Sequence, residues 1–509
     1  MNPWNVFSSS AAHGCIGGVL LGFSLWQQAQ QKLQIFAIGM AGLAIFLIVW
    51  QSSTLSLLCA AGVAVLCLSI AFWFSRHSAS LPIEIQDIAV DVRTLPVLNG
   101  SARSFDPRPY FRPEQGLFLG LHDLQPLFCP PPWPHIQLCG STGSGKSALM
   151  GLLAAQCLNL GEAVAYFDPK EDQWAASVLQ QAALCAGQPF WVLDLRPEAP
   201  PQFNLIAGLR SVQVEELLIA GLELHERGNE ADFYRLTDRQ MAYRLAQDLR
   251  PDDTLATLYQ RHGAQIRHRA PALSGRLEEL VRLQVASGAS LEPLNQWVQS
   301  GGALYVLGSL RHEGVIRLQK MLLLRLLQLA ENRPAARTRK MALLLDEFRH
   351  HLCKTSLEAL ATARDREVHL VLAHQSLGDL QAGPEQLRPQ TVTSSVIENC
   401  TLKIVYRLQD PDTAHWFAAR SGDRLTYSRQ WQLQGNRRRE LPHQVQENRS
   451  PYCDPAVLLH MAPGEAMVFG LGLAKKISVS PFPCEQRPLA QAASATALRA
   501  STLFEHLIT

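Results

Sequence analysis

The sequence predicts an α/β protein: a mostly parallel, doubly wound sheet, an all-α domain inserted between two of its strands, and a transmembrane helical region at the N-terminus. Three observations carry this. Short apolar runs alternate with helical patterns from His135 onward, residues 204–300 are helical in pattern without a strand, and two long uncharged stretches lie within residues 1–77. At roughly 150 residues per domain, a chain of 509 residues holds about three domains.

The apolar N-terminus comes first. Ile35 to Trp50 carries no charge, the polar turn Gln51 to Thr54 follows, and Leu55 to Phe74 is again uncharged. A bilayer core of about 30 Å takes roughly 20 helical residues, which places spans at about 33–50 and 55–74. Lys32 before the pair and Arg76 after it put both outer ends in the cytoplasm. A further apolar segment at 11–26 reads either as a third span or as an interfacial helix. A cleaved signal peptide fits poorly, because the basic start is missing and the apolar zone is too long. Residues 78–130 mix Pro, Arg and short apolar pairs and read as a linker.

Candidate strands follow at 135–139, 163–168, 190–195, 303–310, 341–346, 368–373, 402–408 and 466–472. Most lack period-2 alternation, as strands covered on both faces do. The nucleotide-domain boundaries are 131–205 and 300–485, with the all-α insertion at 206–299 and an Ala/Ser-rich tail at 486–509.

Composition narrows the chemistry. Hydrophobic residues are 47% and charged residues 18%, apolar for a soluble chain but too polar for one buried in lipid throughout. The net charge of +2 leaves any polyanion binding to local patches or repeated subunits. Eleven cysteines without a C-x-x-C pair, two of them in apolar N-terminal runs, argue against both a disulfide framework and a zinc site and read as reduced thiols.

Gly140-Ser141-Thr142-Gly143-Ser144-Gly145-Lys146-Ser147 fits G-x-x-x-x-G-K-[ST], directly after a strand and opening an amphipathic helix. Its glycines allow successive backbone N–H groups to face phosphate oxygens, the helix N-terminus adds partial positive charge, Lys146 reaches the β/γ-phosphates, and Ser147 ligates Mg²⁺. The pattern calls for a nucleoside triphosphate such as ATP. MALLL followed by Asp346 and Glu347 supplies the acids: Asp346 for the metal, Glu347 to polarise water. The alternative is an acid pair capping the next helix. Gln375, after the strand VHLVLA, suits γ-phosphate sensing or water placement. Arg364 and Arg366 end a helical segment, either compensating its dipole or, with Arg364 favoured, reaching a neighbouring subunit's γ-phosphate.

Membrane hairpin, GSTGSGKS, YFDPKED (166–172), FNLIAG (203–208), helical insertion, LLLDEF (343–348), LAHQS (372–376) and NC-x-L-K (399–403), in that order, resemble the type IV coupling proteins of bacterial conjugation. The resemblance implies a RecA-like P-loop NTPase core, homo-hexameric when active and anchored in the bacterial inner membrane with its ATPase part in the cytoplasm. The expected activity is DNA-dependent, Mg-dependent ATP hydrolysis that pumps relaxase-bound single-stranded DNA to type IV secretion channel components. It also implies that Lys146, Ser147, Asp346, Glu347 and Gln375 carry the nucleotide chemistry, that Arg364 acts in trans, and that Asp168 and Lys170 lie near the nucleotide. Glu171 and Leu205 depart from the family's usual glycine and proline. Alternatives are a duplex-DNA translocase of the segregation type and a nucleotide-controlled receptor for secreted proteins. Two basic clusters are candidate DNA contacts: Arg261 to Arg269, and Arg437 to Arg439 in a polar loop preceded by Arg420, Arg424 and Arg429.

Overall fold

The computed structural model describes residues 104–288, 292–333, 339–382, 387–434 and 437–484. The expected spans, the segment 11–26 and the tail lie outside these residues. Among the described residues no helix is long and apolar enough to cross a membrane.

An 11-stranded mixed sheet runs in the order β2-β1-β13-β12-β9-β3-β8-β7-β4-β6-β5, with β12 at Glu465–Phe469. Seven neighbours are parallel: β9 (Leu402–Tyr406), β3 (Ile136–Cys139), β8 (Val368–His374), β7 (Met341–Leu345), β4 (Ala163–Asp168), β6 (Gly302–Leu307) and β5 (Phe190–Asp194). The strands that read as unbroken apolar runs are buried along their whole length, including β3, β4, β6, β7 and β8. Alternate residues of β4 enter opposite cores. Ala163, Ala165 and Phe167 join the core containing α8 (Glu313–Glu331) and the inserted helices, whereas Val164 and Tyr166 join that of α1 (Lys146–Asn159) and α2 (Gln173–Cys185). Helices on both faces keep the parallel sheet from water.

Between β5 and β6 the chain is helical: α3 (Ser211–Gly221), α4 (Asp232–Gln247), α5 (Leu255–Arg269), α6 (Pro271–Arg282) and α7 (Glu292–Ser300). Leu217, Leu273 and Trp297 bury this segment against the sheet core, and the Trp297 indole N–H donates to Gly302 O at 3.0 Å, fixing the return into β6.

The sequence-based linker needs correction. Within it, β1 (Leu117–His122) and β2 (Gln125–Cys129) form a hairpin that extends the sheet, with β1 antiparallel to β13 (Lys475–Ser478). Their turn is Asp123-Leu124, both at positive φ (48° and 65°). That is the backbone a tight hairpin needs, but here without the glycine that would have marked it. The Gln156 side chain of α1 exchanges two hydrogen bonds with the Phe118 backbone, 2.8 and 2.9 Å, so this segment is part of the nucleotide domain. The polar loop expected at 437–439 is instead the start of a strand: β10 (Asp423–Gln434) and β11 (Arg437–Pro451) form a separate two-stranded sheet. Its polar sequence lacks the apolar alternation by which strands are recognised.

Candidate nucleotide site

Four adjacent strands, β3, β8, β7 and β4, end at the same edge of the sheet, and each delivers one part of the site. The glycine-rich loop leaves β3, Gln375 follows β8, Asp346 and Glu347 follow β7, and Asp168 closes β4. One strand separates the loop from the acids, so residues some 200 positions apart become neighbours through parallel pairing alone.

The loop is held from behind. Gly140 N–H donates to His374 O at 3.2 Å, Ser141 N–H to Arg407 O at 2.8 Å, and Gly464 N–H to Ser144 O at 2.9 Å. A side chain on Gly140 would meet Tyr406 Cβ at 2.6 Å. Gly143 and Gly145 adopt positive φ (72° and 116°), which lets backbone N–H groups turn to one side. A Cβ on Gly143 would meet nothing within 4 Å, so the loop's outer side is open. The Ser144 hydroxyl is buried without a hydrogen-bond partner. Lys146 is buried at the start of α1, and its ammonium donates to Gly140 O at 2.5 Å and Ser141 O at 3.1 Å. Burial, aided by the nearby Lys170 ammonium, holds the Lys146 pKa below its usual value. Ser147 is partly exposed one residue further on.

The acids are buried and connected. Lys170 Nζ lies 3.2 Å from Asp346 Oδ2 and 2.6 Å from Glu347 Oε1, and the Gln375 side-chain N–H donates to the same Glu347 oxygen at 2.8 Å. Glu347 sits at φ 46°, in the left-handed region, a conformation costing a non-glycine residue on the order of 1 kcal/mol or more. Burial would raise the Glu347 pKa, but Lys170, Gln375 and Lys146 outweigh it and hold the carboxyl below its usual value. For Asp346 burial prevails, reinforced by the Glu347 charge, and its pKa is raised despite Lys170.

Asp168 organises rather than reacts. Its carboxylate accepts from Lys170 N–H at 2.8 Å, Asp172 N–H at 2.6 Å and the Tyr305 hydroxyl at 2.6 Å. This clamps the turn that aims Lys170 at the acids. The sequence motif puts Lys170 near the nucleotide but does not reveal it as the cation shared by both acids. Nor does it point to Tyr305, which stands on β6 beside β4.

Arg364 is absent from this cluster. It is exposed just before β8, whose first residues lie at the opposite edge of the sheet from the loop. Seven residues of strand, at about 3.3 Å each, separate the two ends. Of the basic clusters, Arg261 is held by Asp253 and Asp248, while Arg267, His268 and Arg269 are exposed at the end of α5.

Known proteins resemble this chain in sequence and in fold. The family described as the TraM recognition site of TraD and TraG matches residues 340–462. A curated Escherichia coli protein, Mobilization protein A, is 32% identical over 323 residues, 61% of this chain and 59% of its own. The chain is akin to the type IV coupling proteins. It spans about three-fifths of the length of that curated relative. The unbound bacterial conjugative coupling protein TrwBdeltaN70 superposes with a TM-score of 0.53 at 16% identity, covering 79% of this chain and 96% of that one. TrwB in complex with ADP and Mg²⁺ gives 0.53 at 16%, over 77% and 96%. VirB4 of Thermoanaerobacter pseudethanolicus gives 0.50 at 13%, over 75% and 99%. At these identities the structural matches establish the fold: a mostly parallel α/β sheet like that of TrwB.

Proposed function

We propose that this chain is a Mg-ATP-driven coupling protein of conjugative DNA transfer. It is anchored in the bacterial inner membrane with the ATPase part in the cytoplasm, hexameric when active, and feeds relaxase-bound single-stranded DNA to a type IV secretion channel. The observation carrying this reading is the convergence of the phosphate loop, Asp346, Glu347 and Gln375 on three neighbouring strand ends. Coupling-protein kinship supports the role in conjugation, and the TrwB complex with ADP and Mg²⁺ supports the ligands.

The oxygen donors Ser147 and Asp346 fit Mg²⁺, a hard cation, which when bound would neutralise the phosphate charge. The open loop edge and the unpartnered Ser144 hydroxyl fit a phosphate ligand. Lys146 then exchanges two loop carbonyls for phosphate oxygens, an exchange favoured by charge. Glu347, held ionised, accepts a proton from the attacking water, and the Gln375 amide orients its carboxylate. Arg364, remote from its own site, is suited to reach the γ-phosphate of an adjacent subunit. The matched region 340–462 contains the acids and Gln375, which supports docking of a relaxosome adaptor close to the hydrolytic machinery.

The test is ATP hydrolysis by the full-length protein with and without single-stranded DNA. Stimulation by DNA, abolished in Lys146→Ala, is the expected result. Undiminished hydrolysis in that variant rejects the site, and equal stimulation by duplex DNA of the same length rejects single-strand cargo.

A further inference from the structure

A second cluster of chemically capable side chains lies at the sheet edge opposite the phosphate loop. Cys157 comes from the last turn of α1, Glu162 immediately precedes β4, and His369 is the second residue of β8. All three are buried, with exposures of 2%, 3% and 6%. One ligand atom from each lies within 4.8 Å of the other two. Cys157 Sγ is 3.6 Å from His369 Nε2, and His369 Nε2 is 3.5 Å from Glu162 Oε2. A tetrahedral zinc ion with bonds of about 2.3 Å to sulfur, 2.0 Å to nitrogen and 2.1 Å to oxygen requires separations of about 3.5 Å (S to N) and 3.4 Å (N to O). The side chains stand at those separations.

An independent observation points the same way: both carboxylate oxygens of Glu162 are buried with no hydrogen-bond donor but the weak Cys157 thiol beside them. A buried carboxylate so poorly partnered is costly unless it takes up a proton or meets a cation.

We propose that Cys157, Glu162 and His369 form a structural zinc site joining the C-terminal turn of α1 to β4 and β8. Thiolate and carboxylate together carry two negative charges, which a divalent ion balances in a buried position. One sulfur, one nitrogen and one oxygen ligand suit zinc better than magnesium or calcium. A cleft of about 400 Å³, bordered by His369, Trp133, Lys340 and Arg364, opens beside the cluster and offers an entry path and room for water as fourth ligand. His135 is excluded as that ligand. Its Nδ1 accepts the Leu370 N–H at 2.9 Å, so in the neutral ring the proton sits on Nε2, which is then a donor. Because α1 begins at Lys146 and Cys157 sits near its other end, the ion would brace the helix that carries the phosphate loop.

The experiment is elemental analysis of the untagged full-length protein, purified without added metal, followed by cobalt addition to chelator-treated protein. Near-stoichiometric zinc and a thiolate-to-cobalt charge-transfer absorption are expected for wild type. Cys157→Ser should lose that absorption, and Cys157→Ser or His369→Gln should weaken zinc binding by about 100-fold or more, whereas Cys185→Ser, exposed on α2, should retain both signals. Folded wild type that holds no zinc and gives no cobalt–thiolate absorption overturns the proposal, even if a variant misfolds. Zinc fully retained in Cys157→Ser overturns it as well.

Discussion

Lys170 Nζ lies 2.6 Å from Oε1 of Glu347, and the same ammonium is 3.2 Å from Oδ2 of Asp346. One cation therefore serves both acids that close β7. In the proposed mechanism it would stabilise the ionised Glu347 that activates water, and it occupies an oxygen of Asp346 that Mg²⁺ would otherwise use.

Lys170→Met should separate these two effects. With the ammonium gone, less Mg²⁺ should be needed for half-maximal hydrolysis. The Glu347 pKa should rise, because Lys170 is the leading influence lowering it against burial. A base must be deprotonated to act, so the acidic limb of the kcat/KM profile should move to higher pH. The check is a pH series of ATPase rates at saturating and limiting Mg²⁺; an unmoved acidic limb would show that Glu347 is not the titrating base.

Glu347→Gln removes the base while keeping the shape. Turnover should fall by about 10²- to 10⁴-fold with nucleotide affinity little changed, measured by fluorescent ATP-analogue binding beside steady-state hydrolysis. Gln375→Ala deletes the amide donating to Glu347 Oε1. It should slow turnover less than Glu347→Gln, with the same preserved affinity.

Arg364 is at the wrong sheet edge to serve its own loop, so its contribution should appear only between chains. Arg364→Ala alone should lower hydrolysis by up to about 10³-fold. Mixing it with Lys146→Ala protein should restore part of the rate, since some interfaces then pair an intact Arg364 with an intact Lys146. Absence of complementation in verified mixed oligomers would refute action in trans.

Tyr305→Phe removes one hydroxyl from the Asp168 clamp. The lost bond to a charged acceptor, 2.6 Å long, should cost about 1.5–3 kcal/mol of stability, read from chemical denaturation. Turnover should also fall, because the turn carrying Lys170 loses a restraint.

Much of the nucleotide site is legible in the amino-acid sequence. The loop from Gly140 to Ser147 is read from local chemistry, because glycine spacing, lysine and hydroxyl must be consecutive to wrap a phosphate. Asp346, Glu347 and Gln375 are legible because an apolar strand ending in polar residues marks the ligand edge of a parallel sheet. Lys170 is only half legible: its motif suggests proximity, but its partner acids lie 176 and 177 positions onward. The β1–β2 hairpin escapes sequence reading because Asp123-Leu124 makes a tight turn without glycine, and β10–β11 because polar strands carry little periodic signal.

Residues close together in the chain specify the strand-and-helix rhythm, the phosphate loop and the identity of its acids, and for that reason all three can be read from the sequence. Tertiary structure alone settles which strands are neighbours, that Lys170 spans both acids, that Arg364 faces away from its own loop, and that Cys157, Glu162 and His369 meet in the interior. The cause is physical: parallel pairing joins segments through long crossovers, so these contacts follow from sheet order, which no local pattern of side chains encodes.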